Sequence, residues 1–251
     1  MALTTLETPA EGVRLLTLTD PDRRNAMGEQ MGAELREHAA AVSEDPEVRA
    51  LIITGSGSAF CAGADLPAMF GDPDRPVAQT HAFLQRYYRA FLEIRELAIP
   101  TIAAVNGPAV GAGLNLALAC DVRIAGAEAT FAATFARIGL HPGGGCTWFL
   151  VRAIGASRAL RTLLLGDSIE AQRAVEWGLA EGPEDDPVAA ALELAEGFAR
   201  VDPLLARHIK RSVGIAVSTG DLDAVLEYES WAQAASASSE QLQAWVDRFR
   251  G

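Results

Sequence analysis

The chain has 251 residues, 49% of them hydrophobic and 22% charged, with a formal net charge of -12. That length and balance suffice to bury a core and exclude an intrinsically disordered chain. The acidic excess argues against nucleic acid or a membrane surface as a partner, so a polyanionic ligand would need a locally basic pocket.

The first residues lack a basic segment followed by an apolar one, and no run approaches the roughly 18 apolar residues of a membrane span. The expectation is a soluble, cytoplasmic protein. Cys61, Cys120 and Cys146 are odd in number, widely spaced and without a CxxC. Each is therefore read as a small core residue, with neither a disulfide nor a metal site expected.

In chain order, residues 13–19 alternate as a strand and end at the turn signal Asp20-Pro21-Asp22. Residues 27–42 carry a helical stripe of Met27, Met31, Leu35 and Ala39. Residues 49–54 form a short apolar run closed by Gly55-Ser-Gly57, as in a buried strand. The small-residue segment Phe60-Cys-Ala-Gly-Ala-Asp-Leu66 and the loop 71–76 follow. A helix is predicted over 77–97, stopped by Pro100. A second buried strand spans 101–105, a glycine turn opens a helix over 111–119, and a short strand covers 121–125. From about residue 156 the chain reads as nearly all helical, over 156–165, 170–177, 187–200, 203–218, 222–235 and 240–249. The layout is α/β first and helical last. The expected division is a core at 1–195 and a helical region at 196–251.

Two places share one design: a buried strand ends, glycine and alanine follow, and a helix begins. The first is 51–54 followed by Ala62, Gly63, Ala64 and Asp65. The second is 102–105 followed by Gly111, Ala112 and Gly113. Small residues let a ligand approach the backbone, and a helix N-terminus offers free N–H donors. Two such donors aimed at one point would stabilise an oxyanion. Each turn alone is also explained as a tight connection.

The segments Asp20-Pro-Asp-Arg-Arg-Asn-Ala-Met27, 60–66, 103–115, the glycine-rich 139–145, and 165–171 followed by Gly178-Leu179-Ala180 together resemble the crotonase (enoyl-CoA hydratase/isomerase) superfamily. The resemblance covers nearly the whole chain in order. It implies an α/β, crotonase-like spiral of ββα units with a helical C-terminal trimerisation region. It also implies an acyl-CoA thioester as ligand, coenzyme A being part of the substrate and no separate cofactor being needed, and a homotrimer or dimer of trimers. Carried over, the oxyanion donors are the N–H groups of Ala64 and Ala112. Adenine would lie against residues 62–66, which include Ala62, Asp65 and Leu66, and Arg23 and Arg24 would line the pantetheine and phosphates. Arg248 and Arg250 are further candidates for the phosphate from a neighbouring subunit. Asp65 is also read as a helix cap, and Asp121 as structural.

The resemblance places the two glutamates of a hydratase at Asn115 and Phe135. Hydration needs one group to activate water and another to protonate carbon, and neither amide nor phenyl exchanges protons near neutral pH. Asn115 is left as a candidate polar contact and Phe135 as a residue that shapes the pocket. Of His38, His81, His141 and His208, His141 in Gly139-Leu-His-Pro-Gly-Gly-Gly145 is the candidate acid/base of a non-hydratase reaction. Its plainer reading is a loop histidine capping the helix that follows. Loss of both carboxylates also fits a non-catalytic acyl-CoA-binding protein on the same fold. A nicotinamide site at Gly55-Ser-Gly57 lacks the third fingerprint glycine.

Overall fold

The computed structural model describes residues 1–250, except the side chain of Arg250; that candidate phosphate ligand lies outside the described residues. The chain divides into two compact units, Met1–Ala199 and Arg200–Gly251.

The first unit begins with a hairpin of β1 (Thr4–Ala10) and β2 (Val13–Leu18). Helix α1 (Glu29–Glu44) leads to β3 (Ala50–Gly55), every residue of which is buried. Two helices follow, α2 (Leu66–Phe70) and α3 (Val77–Glu96), and then β4 (Thr101–Val105). Next come β5 (Pro108–Val110), α4 (Ala112–Ala119), β6 (Val122–Gly126) and β7 (Thr130–Ala132). A 3-10 turn at Thr134–Ile138 leads to α5 (Cys146–Leu165). The unit closes with β8 (Ser168–Glu170), α6 (Ala171–Glu176), β9 (Glu181–Glu184) and α7 (Pro187–Ala199).

One sheet has six strands in the order β1-β2-β3-β4-β6-β9, parallel from β2 onward; the other has three, β5-β7-β8. Side chains alternate across a strand, so each parallel strand serves two cores. Val13, Ala50, Ile52, Ile102, Ala104 and Ile124 meet Ala191 and Ala195 of α7. Leu16, Leu51, Ile53, Ala103 and Val105 join the larger core with Leu35, Phe91, Ile94 and Leu114 of α1, α3 and α4. This double covering is why residues 49–54 and 101–105 read as unbroken apolar runs.

The second half of this unit differs from the sequence reading. Strands β8 and β9 lie in the gaps between the predicted helices 156–165, 170–177 and 187–200, overlapping them only at Glu170, and α5 starts ten residues before the predicted 156. Gly155 sits inside α5 at φ 78 and ψ 160, so the two stretches flanking it fall out of helical phase. The strands are three and four residues long, too short for alternation to register, and β9 is Glu-Gly-Pro-Glu with most residues exposed.

The C-terminal unit consists of α8 (Pro203–Thr219), α9 (Leu222–Ser236) and α10 (Glu240–Arg250). Asp202 and Asp221 cap α8 and α9 by accepting backbone N–H bonds, from Leu205 at 2.8 Å and from Asp223 at 3.0 Å respectively. Leu204, Ile209, Val213, Leu226 and Trp231 are exposed on these helices, Trp231 at 72%. The three cysteines are buried in the first unit, as read from sequence. No helix among the described residues is long and apolar enough to cross a membrane.

Candidate active site

The loop after β3 brings the first small-residue turn to the second. Asn25, buried with φ 57, donates through Nδ2 to the carbonyls of Ser56 at 3.0 Å and Ala59 at 2.9 Å. Asn106 accepts from the Gly55 N–H at 3.3 Å and donates to the Gly57 carbonyl at 3.0 Å. A Cβ on Gly55 would stand 2.3 Å from the Ala59 and Phe60 carbonyl oxygens. Gly55 is thus consumed by the fold-back of its own loop, and a Cβ on Gly57, held at φ 73, would stand 2.9 Å from Pro21 Cβ.

Two short parallel bridges then set the segments side by side. Cys61 donates its N–H to Pro108 O at 3.1 Å, and Val110 donates to Cys61 O at 2.9 Å. Met27 donates to Gly63 O at 2.7 Å and accepts from the Asp65 N–H at 3.1 Å. In that pairing Ala64 is the bridge residue whose own N–H lies outside the ladder. Ala112 is the first residue of α4, and the N–H there has no intrahelical acceptor. Gly63, at φ +106, has no room for a side chain: its Cβ would lie 2.9 Å from Val110 O and 3.9 Å from the Ala112 nitrogen. A Cβ on Gly113 would fall 2.2 Å from Cys61 O. Gly63 and Gly113, next to Ala64 and Ala112, therefore serve close approach of one turn to the other.

These turns border a cleft that is open to solvent. Of the residues singled out in the sequence, Ala62, Ala64, Leu66 and Ala112 line it, and so do Asn115, Phe135 and His141. Arg23, Arg24 and Asp65 do not. Its described lining holds no Asp, Glu, Lys or Arg; the titratable groups there are Tyr87, Tyr88 and His141. His81 is exposed on α3 and outside the lining. His38 and His208 are packing residues, bonded to Thr4 Oγ1 at 3.0 Å and to the Tyr228 hydroxyl at 2.7 Å.

Asn115 lies one turn along α4 from Ala112 and is buried. Its Nδ2 donates to the Gly143 carbonyl at 2.9 Å, which fixes the amide orientation because a carbonyl only accepts. Its Oδ1 is buried with no protein partner. One amide bond contributes about 0.5–1.5 kcal/mol net, while an unsatisfied buried acceptor costs about 1–3 kcal/mol.

His141 is exposed at the rim, with Nδ1 2.8 Å from the Pro142 carbonyl oxygen. That bond needs the proton on Nδ1 and leaves Nε2 as a free lone pair in the neutral ring. His141 does not cap α5: the cap position is Gly145, with no side-chain bond.

The sequence reading missed the tyrosines. Tyr87 is on the buried stripe of α3, donating to Met27 O at 3.0 Å, and burial pushes its hydroxyl pKa up. Tyr88, one residue off that stripe, faces the glycine turn: a Cβ on Gly143 would stand 2.4 Å from its hydroxyl. Burial raises the Tyr88 pKa, opposed by the Gly144 backbone N–H. Adjacent tyrosines in a helix point about 100° apart, which is the signal that one of them leaves the core.

Arg23 and Asp65 are paired at 2.6 Å, and Asp65 also caps α2 through the Ala68 N–H at 3.3 Å. The Arg23 hydrogen bond holds the Asp65 carboxyl below the ordinary carboxylate range. Arg24 is exposed, at φ 51, and its carbonyl accepts from the Ala62 N–H at 2.9 Å. Arg248 stacks its guanidinium 4.9 Å over the Trp245 ring. Asp121 accepts from the Thr101 N–H at 2.8 Å and hydroxyl at 2.9 Å, the structural role expected of it. No cluster of three His, Cys, Asp or Glu suited to a metal ion occurs among the described residues.

The chain is similar to known proteins along nearly its full length. Residues 8–250 match the model of the enoyl-CoA hydratase/isomerase family. A protein of Mycobacterium tuberculosis (strain ATCC 25618 / H37Rv) described as a probable enoyl-CoA hydratase is 50% identical over 214 residues, 84% of this chain and 81% of that one. The 1,2-epoxyphenylacetyl-CoA isomerase of Escherichia coli (strain K12) is 36% identical over 242 residues, 95% of this chain and 92% of that one. The crystal structure of an enoyl-CoA hydratase from Bacillus anthracis superposes with a TM-score of 0.89 at 30% identity, covering 98% of this chain and 96% of that one. With its mixed α/β core and its helical C-terminal region matched by such a structure, the chain belongs to the enoyl-CoA hydratase/isomerase family.

Proposed function

We propose that the cleft binds an acyl-CoA thioester and isomerises its double bond through an enolate, with His141 as the one proton-transfer group. The observation that carries this reading is the pairing of two free backbone donors, Ala64 and Ala112, with a cleft lining that holds no carboxylate. In the proposed step, Nε2 of His141 removes a proton from C2 of a 3-enoyl thioester. The C–H electron pair moves to the carbonyl oxygen, where the two N–H groups hold the developing charge. The imidazolium returns the proton to C4 as the pair flows back and the double bond settles between C2 and C3. No water is consumed, so one acid/base suffices. Hydration would need a second proton-handling group matched to water.

Phe135 and Leu66 supply apolar wall for the acyl chain, and coenzyme A enters as part of the substrate. Arg24, which has no ion pair among the described residues, is the readier partner for a CoA phosphate. Arg23 is shared with Asp65. The isomerase name of the Escherichia coli relative is in keeping with chemistry other than hydration.

The test is turnover of a matched pair. Conversion of a 3-enoyl-CoA to the 2-enoyl isomer is expected at kcat/KM above roughly 10⁴ M⁻¹s⁻¹, with hydration of crotonyl-CoA at least about 100-fold slower. Fast hydration would overturn the reading. Tight acyl-CoA binding without turnover of either would favour a binding protein instead.

The apolar residues exposed on α8 and α9 are suited to self-association, and we assign them to contacts between copies of the chain. Light scattering is expected to give three or six times the 26.5 kDa chain mass; a monomer would contradict this.

A further inference from the structure

The turn that carries His141 is held from two helices. Asn115 on α4 donates to the Gly143 carbonyl at 2.9 Å, and the Tyr88 hydroxyl on α3 packs against Gly143. Gly144, at φ +64, has no room for a side chain either: its Cβ would meet Asn115 Nδ2 and Phe91 Cζ at 2.6 Å. Asn115 is three residues from Ala112 on the same rigid helix, and Gly143 is two residues from His141. A continuous path thus runs from the Ala112 N–H through α4, the Asn115 amide and the Gly143 and Pro142 carbonyls to His141 Nδ1. With Nδ2 spent on the turn, Oδ1 lies buried and unpaired.

We infer that Asn115 is a positioning residue: it sets the place of the His141 imidazole relative to the Ala112 N–H. The inference rests on the proposed role of His141 only for its effect on rate; the geometric part stands alone. An apolar residue of similar size keeps the packing and loses the hold on the turn. Aspartate keeps the size but sets an acceptor against the Gly143 carbonyl.

The experiment compares wild type, Asn115→Leu and Asn115→Asp by melting temperature, by ring nitrogen NMR of His141 (assigned with His141→Ala), and by 3-enoyl-CoA isomerisation. For Asn115→Leu the melting temperature is expected to fall by no more than a few degrees, since the packing is kept and one carbonyl loses its donor. His141 loses its single Nδ1–H tautomer signature, and kcat falls about 10- to 100-fold while KM stays within about threefold. Asn115→Asp is expected to show the same loss at His141, and it carries the test if the leucine variant does not fold. An unchanged His141 signature in both variants overturns the inference, as does a sharp drop in melting temperature with kcat intact. A lost signature with unchanged kcat would sink the assignment of His141 as the base and leave the positioning role standing.

Discussion

Replacing His141 with alanine is expected to lower kcat for 3-enoyl-CoA isomerisation by about 10²- to 10⁴-fold, the usual span for loss of a positioned acid/base. The described lining holds no carboxylate, amine or second imidazole to abstract a proton. Tyr87 is committed to Met27 O, and burial holds both tyrosine hydroxyls in their protonated form. The His141 side chain is exposed and makes one bond to its neighbour's carbonyl, so folding is expected to be indifferent, within about 0.5 kcal/mol. Steady-state kinetics of the variant decide the matter, and an undiminished kcat would remove His141 from the mechanism.

Ala112→Pro is expected to cost about 100- to 1000-fold in kcat by removing one of the two donors. The position suits the experiment. The first residue of a helix tolerates proline because its N–H has no intrahelical acceptor. Gly111, which precedes it, has no Cβ to clash with the ring. Circular dichroism should therefore report a folded protein, and acyl-CoA affinity should fall far less than turnover. A folded variant with full activity would show that the oxyanion donors lie elsewhere.

The buried parallel strands were legible because both of their faces are covered: residues 101–105 read as a strand, and β4 is Thr101–Val105. Helix α3 was equally plain, its stripe of Tyr87, Ala90, Phe91 and Ile94 lying on one buried face. What escaped were elements whose definition is non-local. Strand β5 exists through its pairing with β7 and the bridge from Cys61, and β9 through its pairing with β6. No pattern within three or four residues announces such partners. Helix α5 was halved because the left-handed Gly155 breaks its phase.

The candidate site divides the same way. The glycine and alanine of the two turns announce close approach by their composition, since nothing larger fits beside a backbone carbonyl. The sequence could not show that Asn115 reaches Gly143 across 28 positions, that Arg23 is taken up by Asp65, or that Tyr88 presses on the glycine turn. Each of these is set by helix packing and not by local order.

By the proposed mechanism the chain makes a thioester enolate with one base and no water. Incubation of a 3-enoyl-CoA in D₂O, followed by NMR, reads out both halves of that statement at once. Deuterium is expected at C2 and C4 as the exposed imidazolium exchanges with solvent between abstraction and return, with little 3-hydroxyacyl product and with loss of exchange in His141→Ala. Rapid formation of 3-hydroxyacyl-CoA, or exchange that persists at full rate without His141, would contradict the mechanism.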